Sequence, residues 1–440
     1  MRDSARAVIG AVCSGFTELP APPEGGSATD GPIGWPGYDD ARARAAERTG
    51  EPESVVCGVG QIGGTEAVVI AWEFGFLGGS VGRRTGDRIE AAFTRARELR
   101  APVVSMIATG GSRMQEGMVA LSQLQRIARQ AALLRDAGLP QIAVVRDPTT
   151  GGGWATLGAG SDVTLALPGA QVGFAGSRVR PPGDASAYTA ESQLASGHVD
   201  QIVPAAELGE RLGRWLSLLT GADGRPAPPP AALGRVDLPE DGWTAVRAAR
   251  APARPRAESY LDAYFDWRED LGGDRCGGVD PGVRCGFGMR SGVAIAYAAQ
   301  CGTATLPSGF RTAARLIRLA DRLGIPVLTL VDTPGAANDP AAERSGAGAA
   351  IAEVFAAVAG ARVPVTTLVI GEGGSGGALA FAHPERTWVT PDSYFSVTSP
   401  EAAASILKRP SEEVPVTANQ LRLRPQDLVE LGVARGIVGR

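Results

Sequence analysis

Ala101-Pro-Val-Val-Ser-Met-Ile-Ala-Thr109-Gly110-Gly111 is an apolar run opened by proline and closed by a threonine and glycines. Ile325-Pro-Val-Leu-Thr-Leu-Val-Asp-Thr333-Pro334-Gly335 repeats the plan. A short apolar run bounded by turn residues has the character of a buried strand. An amphipathic stretch precedes each run, 88–99 in the first copy and 310–320 in the second, with apolar residues at three- and four-residue steps. Each run leads into another helical stretch (119–136; 348–359) and a second strand (139–145; 363–370). Those strands enter glycine clusters, Thr150-Gly151-Gly152-Gly153 and Gly371-Glu-Gly-Gly374-Ser375-Gly376-Gly377. Short strands follow, carrying Asp162-Val-Thr-Leu-Ala and Thr387-Trp-Val-Thr. Strand, glycine turn and helix in alternation predict an α/β domain with parallel strands. Two copies predict two homologous domains, 1–220 and 237–440. Between them, 221–236 holds Pro226, Pro228, Pro229 and Pro230 among Ala and Gly, and is expected to be an exposed connector.

The bulk numbers agree with this plan and exclude several others. A chain of 440 residues exceeds one ordinary core. Hydrophobic content of 44% with 20% charged residues describes a globular protein. A net charge of −4 leaves no nucleic-acid footprint, although arginines cluster locally. Cys13, Cys57, Cys276, Cys285 and Cys301 form no C-x-x-C pair, so a zinc ribbon is excluded and no metal site is expected. Scattered thiols, the lack of a signal layout after Met1 and the lack of a spanning apolar run predict a cytoplasmic protein without membrane contact.

In an open α/β sheet, ligands bind outside the carboxyl ends of the strands. A glycine at such a turn leaves its N–H uncovered. Two turns from neighbouring strands can aim two N–H groups at one oxygen, which makes an oxyanion hole suited to an enolate or a polarised thioester. Two halves would supply two holes, and a reaction between two enolate-like partners needs two.

Longer motifs now carry a resemblance. Gly78-Gly79-Ser-Val-Gly82, Thr109-Gly110-Gly111-Ser112-Arg113-Met-Gln-Glu-Gly117, Asp147-Pro-Thr-Thr-Gly-Gly152 and Pro168-Gly-Ala-Gln-Val-Gly-Phe-Ala-Gly176 resemble the β carboxyltransferase subunit of acetyl-CoA carboxylase. Asp332-Thr-Pro-Gly-Ala336, Gly371-Glu-Gly-Gly-Ser-Gly-Gly-Ala-Leu379 and Ser396-Val-Thr-Ser-Pro-Glu401 resemble the α subunit. The resemblance runs from about Gly37 to the C-terminus, in the β-then-α order of fused forms. It implies two tandem crotonase-like ββα spirals that pair face to face, the first binding acyl-CoA and the second carboxybiotin. By position, Gly111, Ser112, Gly152 and Gly153 would hold the thioester enolate, and Gly335, Ala336, Gly377 and Ala378 the biotin ureido oxygen. Gly79, Arg83, Gly110, Arg113, Gly151, Gly374, Ser375 and Gly376 would line the substrates. Carboxybiotin would release CO₂ at the second hole, its freed nitrogen would take a proton from the acyl α-carbon, and the enolate at the first hole would attack CO₂. That route needs no side-chain base, which suits a chain whose histidines are His198 and His383. The resemblance also implies a biotin carboxyl carrier protein and a biotin carboxylase as partners, and a homo-oligomer. The sequence departs from the family in lacking the zinc ribbon, in Ala337-Asn338 where an aromatic is common, and in Ser112 where a small apolar residue is common.

Other motifs have duller readings. Gly58-Val-Gly60-Gln-Ile-Gly63 matches a dinucleotide fingerprint, yet a strand follows it, so a hairpin turn is expected. Gly373-Gly-Ser375-Gly-Gly377 matches a nucleophile elbow, but His383 lies too close behind Ser375 for a hydrolase triad. Arg113 with Glu116 reads as a helix-start ion pair or a ligand contact, and Arg83, Arg84 and Arg88 as a solvated face or phosphate ligands. His198 is expected to be structural. Lys408 lacks the Met-flanked context of a biotinylated lysine, so biotin must arrive on a separate carrier. A malonyl-thioester decarboxylase and a non-catalytic scaffold subunit remain as alternative readings of the same fold.

Overall fold

The computed structural model describes residues 3–23 and 28–439. The chain divides into two compact units, Met1–Thr220 and Gly221–Arg440. In the first, α1 (Ala5–Val12), β1 (Gly15–Glu18) and α2 (Tyr38–Thr49) precede a hairpin of β2 (Val55–Ile62) and β3 (Thr65–Trp72). Gly63 and Gly64 close that hairpin with φ of 55° and 83°. Two consecutive left-handed residues are what a two-residue hairpin turn demands, so the glycine fingerprint here is indeed strand and turn. α3 (Arg83–Leu99) then crosses to β4 (Val103–Thr109), and α4 (Gly117–Asp136) crosses to β5 (Gln141–Thr150). β3, β4 and β5 are parallel. Short elements complete the unit: α5 (Gly151–Gly153), β6 (Val163–Ala166), β7 (Val172–Gly173), α6 (Ala190–Ala195), β8 (Gln201–Ile202) and α7 (Leu208–Thr220). The sheet order is β1-β2-β3-β4-β5-β6-β8, with β7 extending the far end of β5.

The second unit repeats the scheme. α8 (Gly242–Ala249), α9 (Ala257–Tyr264) and β9 (Trp267–Asp270) lead to the hairpin of β10 (Val283–Arg290) and β11 (Val293–Gln300). α10 (Pro307–Leu323) crosses to β12 (Val327–Thr333); α11 (Pro340–Arg344) and α12 (Ala347–Gly360) lead on to β13 (Val365–Gly374). β11, β12 and β13 are parallel. α13 (Ser375–Leu379), β14 (Thr387–Val389), β15 (Tyr394–Ser396) and β16 (Gly436–Ile437) finish the sheet, with order β16-β14-β13-β12-β11-β10-β9 and β15 extending β13. Each unit is thus a ββα spiral.

Apolar periodicity explains which faces are inside. Ile89, Ala92, Phe93 and Ala96 of α3 are buried against Val68, Ile70, Val103 and Ile107 of the sheet. Phe310, Ala313, Ala314, Ile317 and Ala320 form the buried stripe of α10. Proline at the first position starts α10, and Gly324 at φ 74° ends it, as a left-handed C-terminal residue should.

Both units carry the same irregularity just before the site. Ile107 pairs with Val145, but Thr109 pairs with Thr149, so β5 inserts 146–148 opposite the single residue Ala108. Val331 pairs with Val369 and Thr333 with Gly373, so β13 inserts 370–372 opposite Asp332. A bulge re-aims a strand end, and here it tips two glycine turns toward each other.

The proline-rich segment 221–236 is exposed over most of its length, but Ala227 and Ala232, 1% and 2% exposed, pack with Tyr260, Leu261 and Tyr264. Its backbone is tied down: Thr366 Oγ1 donates to Ala227 O (2.8 Å), Tyr264 OH to Pro228 O (2.8 Å) and Ala232 N–H to Gly439 O (2.8 Å). Proline brings no N–H to bury, so an extended segment of Pro and Ala can lie flat on a core once its carbonyls find donors.

Candidate active site

In the first unit, β4 ends in the turn 109–113. Thr109 Oγ1 accepts the Gly111 N–H (3.0 Å), and the Gly110 N–H donates to Gly78 O (2.9 Å). A one-residue bridge to Val81 then holds the turn: Val81 N–H donates to Gly111 O and Arg113 N–H to Val81 O, both at 2.9 Å. Gly111 sits at φ 109°, a conformation glycine alone adopts readily. These bonds leave the Ser112 N–H with no acceptor among the described residues.

The second turn comes from β5. Gly151 at φ 65° spends its N–H on Phe174 O (3.0 Å), and a Cβ on it would lie 3.0 Å from Gly111 Cα. The two turns therefore approach backbone to backbone. Gly152 and Gly153 begin a helix, so their N–H groups lack intrahelical partners, and none is supplied from elsewhere among the described residues.

The second unit reproduces this arrangement with other side chains. Thr333 Oγ1 accepts the Gly335 N–H (3.1 Å), and the bridge partner is Thr305, which donates to Gly335 O (3.0 Å) and accepts from Ala337 N–H (2.9 Å). Ala336 N–H is left over. Ser375 takes the left-handed place of Gly151, at φ 59°. A Cβ on Gly377 would lie 2.4 Å from Ala336 N, so the bare face of that glycine looks directly at the spare donor. Gln300, fully buried, donates to both Gly377 O (3.0 Å) and Thr305 Oγ1 (3.1 Å), bracing the two turns from beneath.

These hydrogen bonds refine the expected donors. Gly111 and Gly335 cannot donate to a ligand while their N–H groups serve Thr109 and Thr333; the spare donors are Ser112 and Ala336, one residue on. The strand register makes Gly376 and Gly377, rather than Gly377 and Ala378, the counterparts of Gly152 and Gly153. Ala378 is buried behind them. Nothing in the composition marked Thr109 and Thr333 as locks, although both stood at the end of the repeated strand motif.

Of the expected substrate-lining residues, Gly79 and Gly374 serve packing. A Cβ would lie 2.1 Å from Ala108 O at Gly79 and 2.0 Å from Pro334 O at Gly374. Gly110, Ser375 and Gly376 are exposed at the turns. Arg83 is exposed at the start of α3, where its N–H donates to Glu116 Oε2 (2.6 Å). With Arg42, Arg84 and Arg88 it lines a cleft of about 1280 Å³ along α3. Glu18, Glu66, Asp87, Glu90 and Glu98 share its walls.

Arg113 is a correction. Its side chain is 1% exposed, with Glu53 gripping both terminal nitrogens (2.6 and 2.8 Å), so it contacts no ligand. The expected pairing with Glu116 exists but is longer, at 3.4 Å. Burial by itself would raise the Glu53 carboxyl; the Arg113 charge and hydrogen bonds outweigh that and hold it at about 2, against an ordinary 4.5. A carboxyl lowered on folding adds stability that is complete above its unfolded value and is lost as pH falls through the folded one. Thermal melts of the wild type should therefore lose stability between pH of about 4.5 and about 2, and Glu53→Gln should lack that share of the slope. Parallel pH profiles for the two proteins would remove Glu53 as the source.

Ser375 forms no hydrogen bond with His383, whose Nδ1 accepts from the Glu385 N–H instead (3.2 Å). Among the described residues no group of three or more His, Cys, Asp or Glu is placed to hold a metal, and no helix is long and apolar enough to cross a membrane. What remains is backbone: in each unit, three N–H groups without acceptors among the described residues, on two turns that approach each other closely. Such groups can stabilise negative charge on an oxygen without moving a proton.

Known proteins share this plan. Residues 35–201 match the family model of the carboxyl transferase domain, and residues 240–440 that described as acetyl co-enzyme A carboxylase carboxyltransferase-like. The acetyl-coenzyme A carboxylase carboxyl transferase subunits beta/alpha of Saccharopolyspora erythraea are 39% identical over 426 residues, covering 91% of this chain and 74% of theirs. The protein of the same description from Salinispora arenicola is 38% identical, covering 91% and 76%. A Mycobacterium bovis protein named "Probable biotin-dependent acyl-coenzyme A carboxylase beta3 subunit" is 34% identical, covering 90% and 82%. Among solved structures, the transcarboxylase 12S hexamer with methylmalonyl-coenzyme A and methylmalonic acid bound superposes with a TM-score of 0.82 at 21% identity, covering 100% of this chain and 87% of that one. A single-chain, multi-domain long-chain acyl-CoA carboxylase gives 0.76 at 21% identity, covering 99% and 46%. At that identity the two structures establish the crotonase-like fold, while the sequence relatives carry the activity. The chain therefore belongs to the acetyl-CoA carboxylase carboxyltransferase family and is an acyl-CoA carboxyltransferase whose β-type half precedes its α-type half.

Proposed function

We propose that the chain transfers a carboxyl group from carboxybiotin, presented on a separate carrier protein, to the α-carbon of an acetyl-CoA-type thioester. The observation that carries this reading is the duplicated set of three spare N–H groups, Ser112 with Gly152 and Gly153, and Ala336 with Gly376 and Gly377. In the first unit, Ser112 and Gly152 or Gly153 donate to the thioester oxygen as it gains charge, which favours the enolate over the neutral thioester. The cleft along α3 is large enough for a nucleotide-sized group such as coenzyme A carries, and Arg83, exposed at its wall, would meet the phosphates.

In the second unit, Gly377 packs against the Ala336 backbone so closely that a Cβ there would lie 2.4 Å from Ala336 N, which brings the spare N–H groups of the two turns together for the ureido oxygen. Carboxybiotin supplies the CO₂ and, once decarboxylated, the nitrogen that accepts the α-proton. Ala336 and Gly377 hold and orient that oxygen; no side chain of the chain needs to take a proton.

Malonyl-CoA, with and without free biotin as acceptor, separates the candidate activities. Malonyl-CoA should be consumed only when biotin is present. Equal CO₂ release without biotin would make the protein a decarboxylase, and no turnover in either arm would make it a scaffold.

A biotin carboxyl carrier protein and a biotin carboxylase complete the proposed complex, which works in the cytoplasm. Met114 and Met118, 74% and 71% exposed on the turn and helix after Ser112, and Val397 and Ile406, 73% and 72% exposed, support a homo-oligomer. Light scattering should give a mass of at least twice 45.2 kDa; a monomer over a wide concentration range would refute the assembly.

A further inference from the structure

Each pair of turns rests on a buried arginine–carboxylate pair, and the two pairs are wired differently. In the first unit the arginine is on the turn itself. Arg113 directly follows Ser112, and its guanidinium donates to Glu53 (2.6 and 2.8 Å), Ser80 O (2.8 Å) and Tyr38 OH (3.1 Å). It thereby joins the Ser112 turn to the 78–82 loop, the loop that supplies Gly78 O and Val81 to the same turn. In the second unit the carboxylate is on the strand. Asp332 accepts both of its short bonds from Arg254 (2.9 and 2.8 Å), one from Arg256 (3.2 Å) and one from the Glu372 N–H (3.1 Å). Arg254 also donates to Ile370 O (2.7 Å), so the pair ties β12 to β13 at the residues that lead into the two turns. Glu53 and Asp332 are 0% exposed, Arg113 1% and Arg254 7%.

By strand register Ala108 is the counterpart in the first unit of Asp332 in the second, and by the bridges to Val81 and Thr305 Ala337 is the counterpart of Arg113. Each unit therefore has alanine where the other has its anchor. We infer that Glu53–Arg113 and Arg254–Asp332 are positioning pairs, each holding the donors of its own hole, so that either half-reaction can be disabled without touching a donor. This rests on reading the turns as oxyanion holes.

Buried ion pairs make the idea testable. Breaking one partner leaves an uncompensated charge and destabilises strongly, whereas replacing both by neutral groups is often tolerated. A pair that only stabilises should thus be dispensable once both members go. A pair that positions should not, because a displacement near 1 Å costs about a hundredfold in turnover.

The test compares Glu53→Gln/Arg113→Met and Asp332→Asn/Arg254→Met with their single variants and the wild type. Thermal melts are recorded beside two activities, biotin-dependent turnover of malonyl-CoA and release of CO₂ from carboxybiotin. Rates are expressed per acyl-CoA site counted by calorimetry. The first double variant should lose about ten- to a hundredfold in kcat on the acyl side, with KM for acyl-CoA and carboxybiotin decarboxylation unchanged. The second should lose carboxybiotin decarboxylation with acyl-CoA affinity unchanged. Recovery of kcat together with Tm in the double variants would overturn the inference, as would loss of carboxybiotin decarboxylation in the first double variant or loss of acyl-CoA affinity in the second. Failure of the wild type in both assays would instead refute the oxyanion-hole reading itself.

Discussion

Gly377→Val is expected to lower carboxybiotin decarboxylation by about a hundred- to a thousandfold, some 3–4 kcal/mol of transition-state stabilisation, with acyl-CoA binding by calorimetry unchanged. The contacts leave the new side chain little choice. Its Cβ would lie 2.4 Å from Ala336 N, 2.9 Å from Gly335 C and 3.1 Å from Ala336 Cα, all backbone atoms. Backbone cannot swing aside as a side-chain end can, so either the N–H is covered or the turn moves away. Gly377 does not occupy the left-handed region, so the variant meets no conformational penalty of its own there. Circular dichroism must show a folded protein, because overpacking a tight turn also costs stability. Unchanged turnover in a folded variant would leave Gly377 as a turn residue and remove the second hole from the mechanism.

How far the site was legible beforehand depended on the distance over which its parts interact. Strand ends and glycine clusters are local patterns, and because they occur twice, each copy checked the other. The identity of the spare donor was not legible, since it turns on which N–H a threonine hydroxyl has already taken. Thr109 and Thr333 stand two residues before Gly111 and Gly335, and their rotamers decide the matter. Arg113 was misjudged for a related reason. Glu116, three residues on, is visible in a helical pattern, while Glu53 is sixty residues away and reaches Arg113 through the sheet. The segment 221–236 shows the same limit, because its composition is that of a connector and only the hydroxyls of Thr366 and Tyr264 reveal that Ala227 and Pro228 within it are fastened to the second unit.

For the first unit, Gly152→Val should abolish enolate chemistry on acyl-CoA, again by about a hundred- to a thousandfold, while carboxybiotin decarboxylation persists. Here the surroundings differ from those of Gly377, and the difference decides how the variant must be controlled. A Cβ on Gly152 would meet Leu124 Cδ2 at 2.3 Å and Cδ1 at 2.4 Å, both ends of a half-buried, flexible side chain on α4. Leu124 can rotate, so part of any activity loss would come from a displaced helix rather than a covered N–H. Leu124→Ala removes the obstruction, and the double variant Gly152→Val/Leu124→Ala separates the two causes. If the Gly152 N–H holds the thioester oxygen, relief of the clash should restore thermal stability but not turnover, because the branched side chain still stands beside the donor. If turnover returns with stability, Gly152 is glycine only to make room for Leu124. The thioester would then be held by Ser112 and Gly153, the remaining spare N–H groups of that unit.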